Sequence, residues 1–192
     1  KLETFGLLWG YTLAERDNRP ARIVVTTATV ETSATPTKSS VEPQLDSIAM
    51  KKEIINRYWP HLELVGTFHS HPYDTLEDVR SVRGWQASTE NGDTDFWPWL
   101  HEKVCPENPY LAHLIVTVTQ LQRKGWAWPG AIENNSGFEL SLEKRKIWIT
   151  SYSTECFSDD AKDEVLVEEY DMSSDLPVLD IAAIERRVIR GS

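Results

Sequence analysis

The chain has 192 residues, enough to bury one full core with roughly two-thirds of its unfolded surface removed from water. Thirty Asp and Glu against 20 Lys and Arg leave a formal charge of −10, which disfavours nucleic acid and anionic membranes, since both require a basic footprint. A hydrophobic content of 40% with 10% aromatics excludes wholesale disorder.

No apolar run approaches the roughly 18 residues that span a bilayer, and no secretory signal precedes the first strand; the chain opens at Lys1 rather than Met. Cys105 and Cys156 are too few for a disulfide framework. They read as reduced structural thiols of a cytoplasmic protein.

Phe5 to Tyr11 is a continuous apolar run closed by glycines, which predicts a buried strand. Arg22 to Thr32 is dense in Val and Thr and predicts a strand paired with it. Ser33 to Pro43 holds Pro36 and Pro43 among small polar residues and reads as a loop. Ser47 to Trp59 carries Ile48, Ile55, Tyr58 and Trp59 at helical spacing, with Asp46 or Ser47 as cap and Pro60 as the stop. Leu62 to His71 reads as a strand ending at Pro72.

Thr75 to Arg83 predicts a short charged helix, interrupted by Gly84-Trp85. Asp95 to Val104 predicts another, which Pro98 requires to begin nearby or to kink. His113 to Thr119 is the clearest core strand of the second half. Phe138 to Leu142 and Lys146 to Tyr152 read as a hairpin about a Glu143-Lys144-Arg145 turn. Glu155 to Asp175 holds nine acidic residues against one base, Lys162, and predicts a solvated linker or loose edge. Val178 to Ile189 recovers helical spacing. Trp9 and Trp148 fit core positions. Burial is also the default for Trp85, Trp97, Trp99, Trp126 and Trp128, with a ligand-facing rim as the alternative for Trp85 and Trp97.

The segment that carries chemistry is Gly66-Thr67-Phe68-His69-Ser70-His71-Pro72. Residues two apart on a strand face the same side, so His69 and His71 can grip one ion while Ser70 points away. Alone, the pair is equally two surface histidines. Its setting adds an apolar strand ahead of it and a Ser- and Asp-rich stretch behind it, Ser88 to Trp97. A carboxylate from the first turn of a following helix would complete a site of two nitrogens and one oxygen. Three protein ligands with one open position is the arrangement of a catalytic zinc, whose acidified water needs a separate general base. His61, His101 and His113 read as structural, and Asp74, Glu77 and Asp78 as a solvated face. Cys105 has no partner base for nucleophilic work.

Two blocks of this sequence resemble the JAB/JAMM (MPN-domain) zinc metalloproteases. Leu2-Glu3-Thr4-Phe5-Gly6-Leu7-Leu8-Trp9-Gly10 looks like the family's opening strand, with its Glu, and His69-Ser70-His71-Pro72 matches the family's metal motif residue for residue. The resemblance runs to about Tyr152. It implies a fold in the α/β (α+β) class, a curved and mainly antiparallel sheet flanked by helices, over residues 1–154. Residues 155–192 would add an acidic linker and a helical extension. It further implies Zn²⁺ held by His69 and His71, with Glu3 as general acid and base.

The third ligand departs from the family's Ser-x-x-Asp. Ser88 is followed three residues later by Asn91, so Asp93 is the candidate, with Asp95 as the alternative. Ser88 is the candidate for stabilising the oxyanion. The implied activity is a zinc isopeptidase or peptidase that cleaves after the tail of ubiquitin or a ubiquitin-like protein. Bacterial stand-alone relatives belong to ubiquitin-like conjugation systems, including antiviral ones. Two rivals are a non-catalytic MPN scaffold and a JAMM hydrolase of sulfur-carrier protein adducts.

Overall fold

The computed structural model describes residues 2–16, 20–36, 41–89, 92–132, 135–157 and 171–175. Eight strands are formed: β1 (Phe5–Leu13), β2 (Arg22–Val30), β3 (Thr35–Pro36), β4 (Val41–Glu42), β5 (Glu63–Pro72), β6 (Tyr110–Ile132), β7 (Gly137–Phe157) and β8 (Asp171–Asp175). Three helices, α1 (Leu45–Tyr58), α2 (Leu76–Ser81) and α3 (Asp93–Trp99), are joined by a π-helical turn at Leu100–Val104. The molecule is therefore mixed α and β, as the residue patterning predicts.

Six strands form one sheet in the order β2-β1-β5-β6-β7-β8, and β3 and β4 pair separately. Every neighbouring pair in the large sheet is antiparallel except β5 and β6. Parallel neighbours need a long crossover. Residues 73–109 supply it, carrying α2, α3 and the π-helical turn across one face of the sheet.

That face is the core. Phe5, Leu7 and Trp9 of β1 and Leu64 of β5 pack with Ile48 and Ile55 of α1, and with Trp97, Leu100 and Val104 of the crossover. Alternation along β1 explains the selection, because residues two apart share a side. Pro98 has no N–H for the carbonyl four residues back. The helix widens just beyond it, where Cys105 N–H donates to Leu100 O, five residues back, at 3.0 Å.

Several sequence expectations are corrected. The α1 helix starts at Leu45 after Gln44, without a side-chain cap; Ser47 instead donates its hydroxyl to Glu31 at 2.8 Å. The stretch expected to be loop contains the small β3–β4 pair.

Glu143-Lys144-Arg145 is not a turn. It lies inside β7, which pairs with β6 along its length, with register shifts beside Gly125 and Gly130. Beyond Pro72, which pairs with Val118, the β6–β7 ribbon has no third strand among the described residues. Its faces therefore tolerate charge; at the charged run the ladder jumps from the Gln120–Arg145 pair to the Gly125–Glu143 pair and then resumes. Trp126 and Trp128 on this ribbon are 78% and 70% exposed rather than buried.

The expected boundary at residue 154 falls within β7, and the end of the acidic stretch forms the edge strand β8, paired with Ser153–Phe157. The expected helix at 178–189 lies outside the described residues. Cys105 is buried and free. Burial pushes its thiol up to about 12, so it is inert, as expected of a structural cysteine. Among the described residues, no helix is long and apolar enough to cross a membrane.

Candidate metal centre

His69 and His71 occupy the C-terminal end of β5, opposite Ile115 and Thr117 of β6. Both side chains point to the core face, as period-2 geometry dictates. Asp93 is the first residue of α3. The crossover lays this helix over the sheet, where Trp97 stacks on His113 with ring centroids 4.7 Å apart.

Asp93 therefore meets the two histidines. His69 Nε2 lies 2.9 Å from His71 Nε2 and 2.9 Å from Asp93 Oδ1, and His71 Nε2 lies 3.7 Å from Asp93 Oδ2. Among the described residues this is the one group of three or more His, Cys, Asp and Glu side chains that could hold a metal ion. Tetrahedral ligand bonds of about 2.0–2.2 Å place donor atoms roughly 3.3–3.5 Å apart. The observed spacings bracket that range, so the donor set fits a zinc-sized cation. Asp95, the alternative, is exposed and outside the group.

His71 and Asp93 each have an orienting partner. His71 Nδ1 lies 3.0 Å from the Gly84 carbonyl oxygen. A carbonyl only accepts, so Nδ1 carries the proton and Nε2 of the neutral ring presents its lone pair. Burial and the neighbouring His69 hold the His71 pKa below its usual value, which favours that neutral form.

Asp93 is held by Ser88. Ser88 N–H and Oγ–H donate to Asp93 Oδ2 at 2.8 and 3.0 Å, while Asp93 N–H donates to Ser88 Oγ at 2.9 Å. This reciprocal arrangement works like a capping box with a longer spacer. Gly92 makes it possible, because a Cβ there would collide with Ser88 Oγ. Burial pushes the Asp93 carboxyl up, but His69 and Ser88 outweigh it and bring the value down to about 2. The single Ser88 hydroxyl proton goes to Asp93. The oxyanion role expected for Ser88 therefore requires that bond to be exchanged.

Glu3 reaches the same place from β1. Phe5 pairs with His69 across the antiparallel β1–β5 ladder. One residue earlier, Ser70 N–H donates to Thr4 O and Thr4 N–H donates to Ser70 Oγ, both at 2.9 Å. Continuing that register sets Glu3 across from His71, on the side of the sheet that Phe5 and His69 face. Burial raises the Glu3 carboxyl to about 7; His69 opposes the rise and the Asp93 carboxylate adds to it. Tyr73 feels both carboxylates as well, and burial together with Glu3 and Asp93 raises its phenol.

The remaining histidines and tryptophans sort as follows. His101 and His113 are buried, with their Nε2 atoms 2.6 and 2.9 Å from Thr154 Oγ1, and His113 Nδ1 is 2.9 Å from Thr67 Oγ1. Burial lowers both their pKa values, so both are neutral structural groups. His61, Asp74, Glu77 and Asp78 are exposed. Trp97 is core, so it forms no ligand-facing rim, and Trp85, half-buried, stacks on Trp148 with centroids 5.9 Å apart.

A buried carboxylate escaped the sequence reading: Glu31 accepts from Ser33, Ser47 and Lys51 at 2.6, 2.8 and 2.9 Å. Its only sequence signal is an acid at the end of a β-branched run.

No family model matches the chain, and no curated protein matches it.

Proposed function

We propose that this chain is a JAMM-type metallo-isopeptidase, binding zinc through His69, His71 and Asp93. Its substrate is the amide that follows the C-terminal tail of ubiquitin or a ubiquitin-like protein. The observation that carries the reading is the approach of Glu3, a carboxyl raised to about 7, to a two-nitrogen, one-oxygen donor set. Zinc bound there supplies Lewis acidity, polarising the scissile carbonyl and making a water more acidic.

The chain's own residues do the rest. Glu3 accepts the proton of the attacking water and returns it to the leaving amine. A carboxyl that titrates near neutrality serves both halves of that transfer. Gly84 O fixes the tautomer of His71, and Ser88 fixes the carboxylate of Asp93. His69, His71 and Asp93 would hold the zinc as three protein ligands, the number that characterises a catalytic rather than a structural site. The substrate class comes from the resemblance of the Glu3 and His69-Ser70-His71-Pro72 blocks, and the donor geometry supports the hydrolytic chemistry.

The test is zinc analysis of the purified chain together with cleavage of ubiquitin-like proteins carrying a C-terminal extension or a lysine-linked partner. The reading expects about one zinc per chain, its loss in His69→Ala, and cleavage immediately after the modifier's tail. A chain that takes up no zinc overturns it. So does a zinc-loaded chain that leaves every such amide intact.

A further inference from the structure

The stretch between the histidines and Asp93 reads from sequence as a short charged helix interrupted by Gly84-Trp85. The structure gives it a specific course. At the end of α2, Arg83 adopts a left-handed backbone with φ of 49°. Gly84 N–H donates to Val79 O at 2.8 Å, and Arg83 N–H donates to Arg80 O at 3.4 Å. This is the hydrogen-bond pattern of a Schellman ending, and it turns the chain back over the sheet.

From there three side chains of one sheet face fasten the loop to it. Thr117 Oγ1–H donates to Gly84 O at 2.8 Å, Thr150 Oγ1–H donates to Trp85 O at 2.6 Å, and Tyr152 Oη accepts from Ala87 N–H at 2.9 Å. Thr117 pairs with Trp148 across β6 and β7, so Thr150 and Tyr152, two and four residues further along, share its side. Thr117 and Thr150 are fully buried. The two ends of the fastened loop are the two groups that hold metal ligands: Gly84 O on His71 and Ser88 on Asp93.

We infer that Thr117 and Thr150, with Tyr152, are positioning residues for the metal centre. They act through the Gly84–Ser88 loop to fix the orientation of His71 and Asp93 at once. The Gly84 carbonyl has two lone pairs, one taken by Thr117 and one by His71. Removing the threonine hydroxyl frees the carbonyl to rotate, and the imidazole it aims rotates with it. The loop has little other freedom, since a Cβ at Gly84 would press into the Tyr73 ring. The course of this loop is thus fixed by a rail of side chains on the sheet.

This inference rests on the metal-binding reading above, and its test separates the two. The full-length chain is titrated with zinc against a chromophoric chelator, and the visible absorption of the cobalt(II)-loaded chain is recorded. Thr117→Val keeps shape and β-branching but removes the donor. It should weaken zinc binding at least about tenfold and alter the cobalt band, while Thr117→Ser should return affinity to within about threefold of the parent. Thr150→Val and Thr150→Ser should repeat the pattern, and they decide the matter if Thr117→Val does not fold. A general loss of packing would lower thermal stability in the valine variants without rescue of the cobalt spectrum by serine. If the parent binds zinc and both valine variants bind it equally well, the inference is overturned while the functional reading stands. If the parent binds no zinc, both fall.

Discussion

Phe5 and His69 face one another across the β1–β5 ladder. That single pairing brings a residue near the start of the chain to a candidate metal ligand. Glu3 lies two residues before Phe5, His71 two residues after His69, and antiparallel geometry sets them at the same level. The proposed base and the two histidines are therefore registered by backbone hydrogen bonds rather than by loop closure.

The first prediction concerns the third ligand. Asp93→Asn should reduce zinc affinity by at least the roughly 10–100-fold that loss of an outer-shell partner costs. Asp95→Asn should leave it unchanged, because that side chain is exposed and outside the group. Isothermal titration of both variants with zinc checks this. Equal losses would remove the distinction between them.

Glu3 gives a pH prediction. Its carboxyl is raised to about 7, chiefly by burial, and a base works only when deprotonated. Turnover should therefore fall as pH drops through its pKa, and a bound dication, by favouring the carboxylate, sets that limb at or below about pH 7. Glu3→Gln should keep zinc and lose about 100-fold or more in kcat. A pH–rate profile with no acidic limb in the parent, or full turnover by the variant, would remove Glu3 from the mechanism.

Ser88 distinguishes two roles. Its hydroxyl hydrogen-bonds Asp93 as both donor and acceptor, so Ser88→Ala should weaken zinc binding by about 10–100-fold. A residue acting only on the oxyanion would lower kcat and leave metal affinity alone. Measuring both on one preparation separates ligand orientation from transition-state stabilisation.

Glu31 makes a stability prediction remote from the site. Burial raises its pKa, but hydrogen bonds from Ser33, Lys51 and Ser47 outweigh that and bring it from 4.5 to about 2. A carboxyl with a depressed folded-state pKa stabilises the fold above its unfolded value and loses that contribution as pH falls from about 4.5 toward 2. Glu31→Gln should cost up to about 3 kcal/mol at neutral pH. The gap between parent and variant should close in acid. Denaturant unfolding at pH 7 and pH 3 reads it directly, and a constant gap would contradict the assignment.

The legible parts of the sequence were those where a short period dictates direction. His69 and His71 are two apart on a strand, so their common face follows without knowledge of the fold. The apolar run at Phe5 and the β-branched run at Arg22 announce β1 and β2 for the same reason. Glu3 is different. Nothing local marks it out from a solvated terminal acid, and only its resemblance to a known block singles it out.

Asp95 stands as an alternative to Asp93 in the sequence because the third carboxylate comes from a crossover whose path local periodicity does not encode. The long β6–β7 ribbon was hidden by its own exposure. With few neighbours it needs no apolar alternation, so Glu143, Lys144 and Arg145 imitate a turn and Trp126 and Trp128 imitate core residues. The Glu31 cluster draws its partners from a following turn and from α1, and such tertiary gathering leaves no linear signature.

The one parallel pair in the sheet has a further consequence. Because β5 and β6 run the same way, the chain must travel out and back between them, and the third donor rides on that detour. A folding chain that has paired β1 with β5 owns two imidazoles and no binding site. Only when the detour has come down on the sheet does the third donor arrive. Tight capture of a cation would thus report that this crossover has docked, and the time course of zinc uptake during refolding should follow the docking of Trp97 on His113 rather than the first appearance of strand.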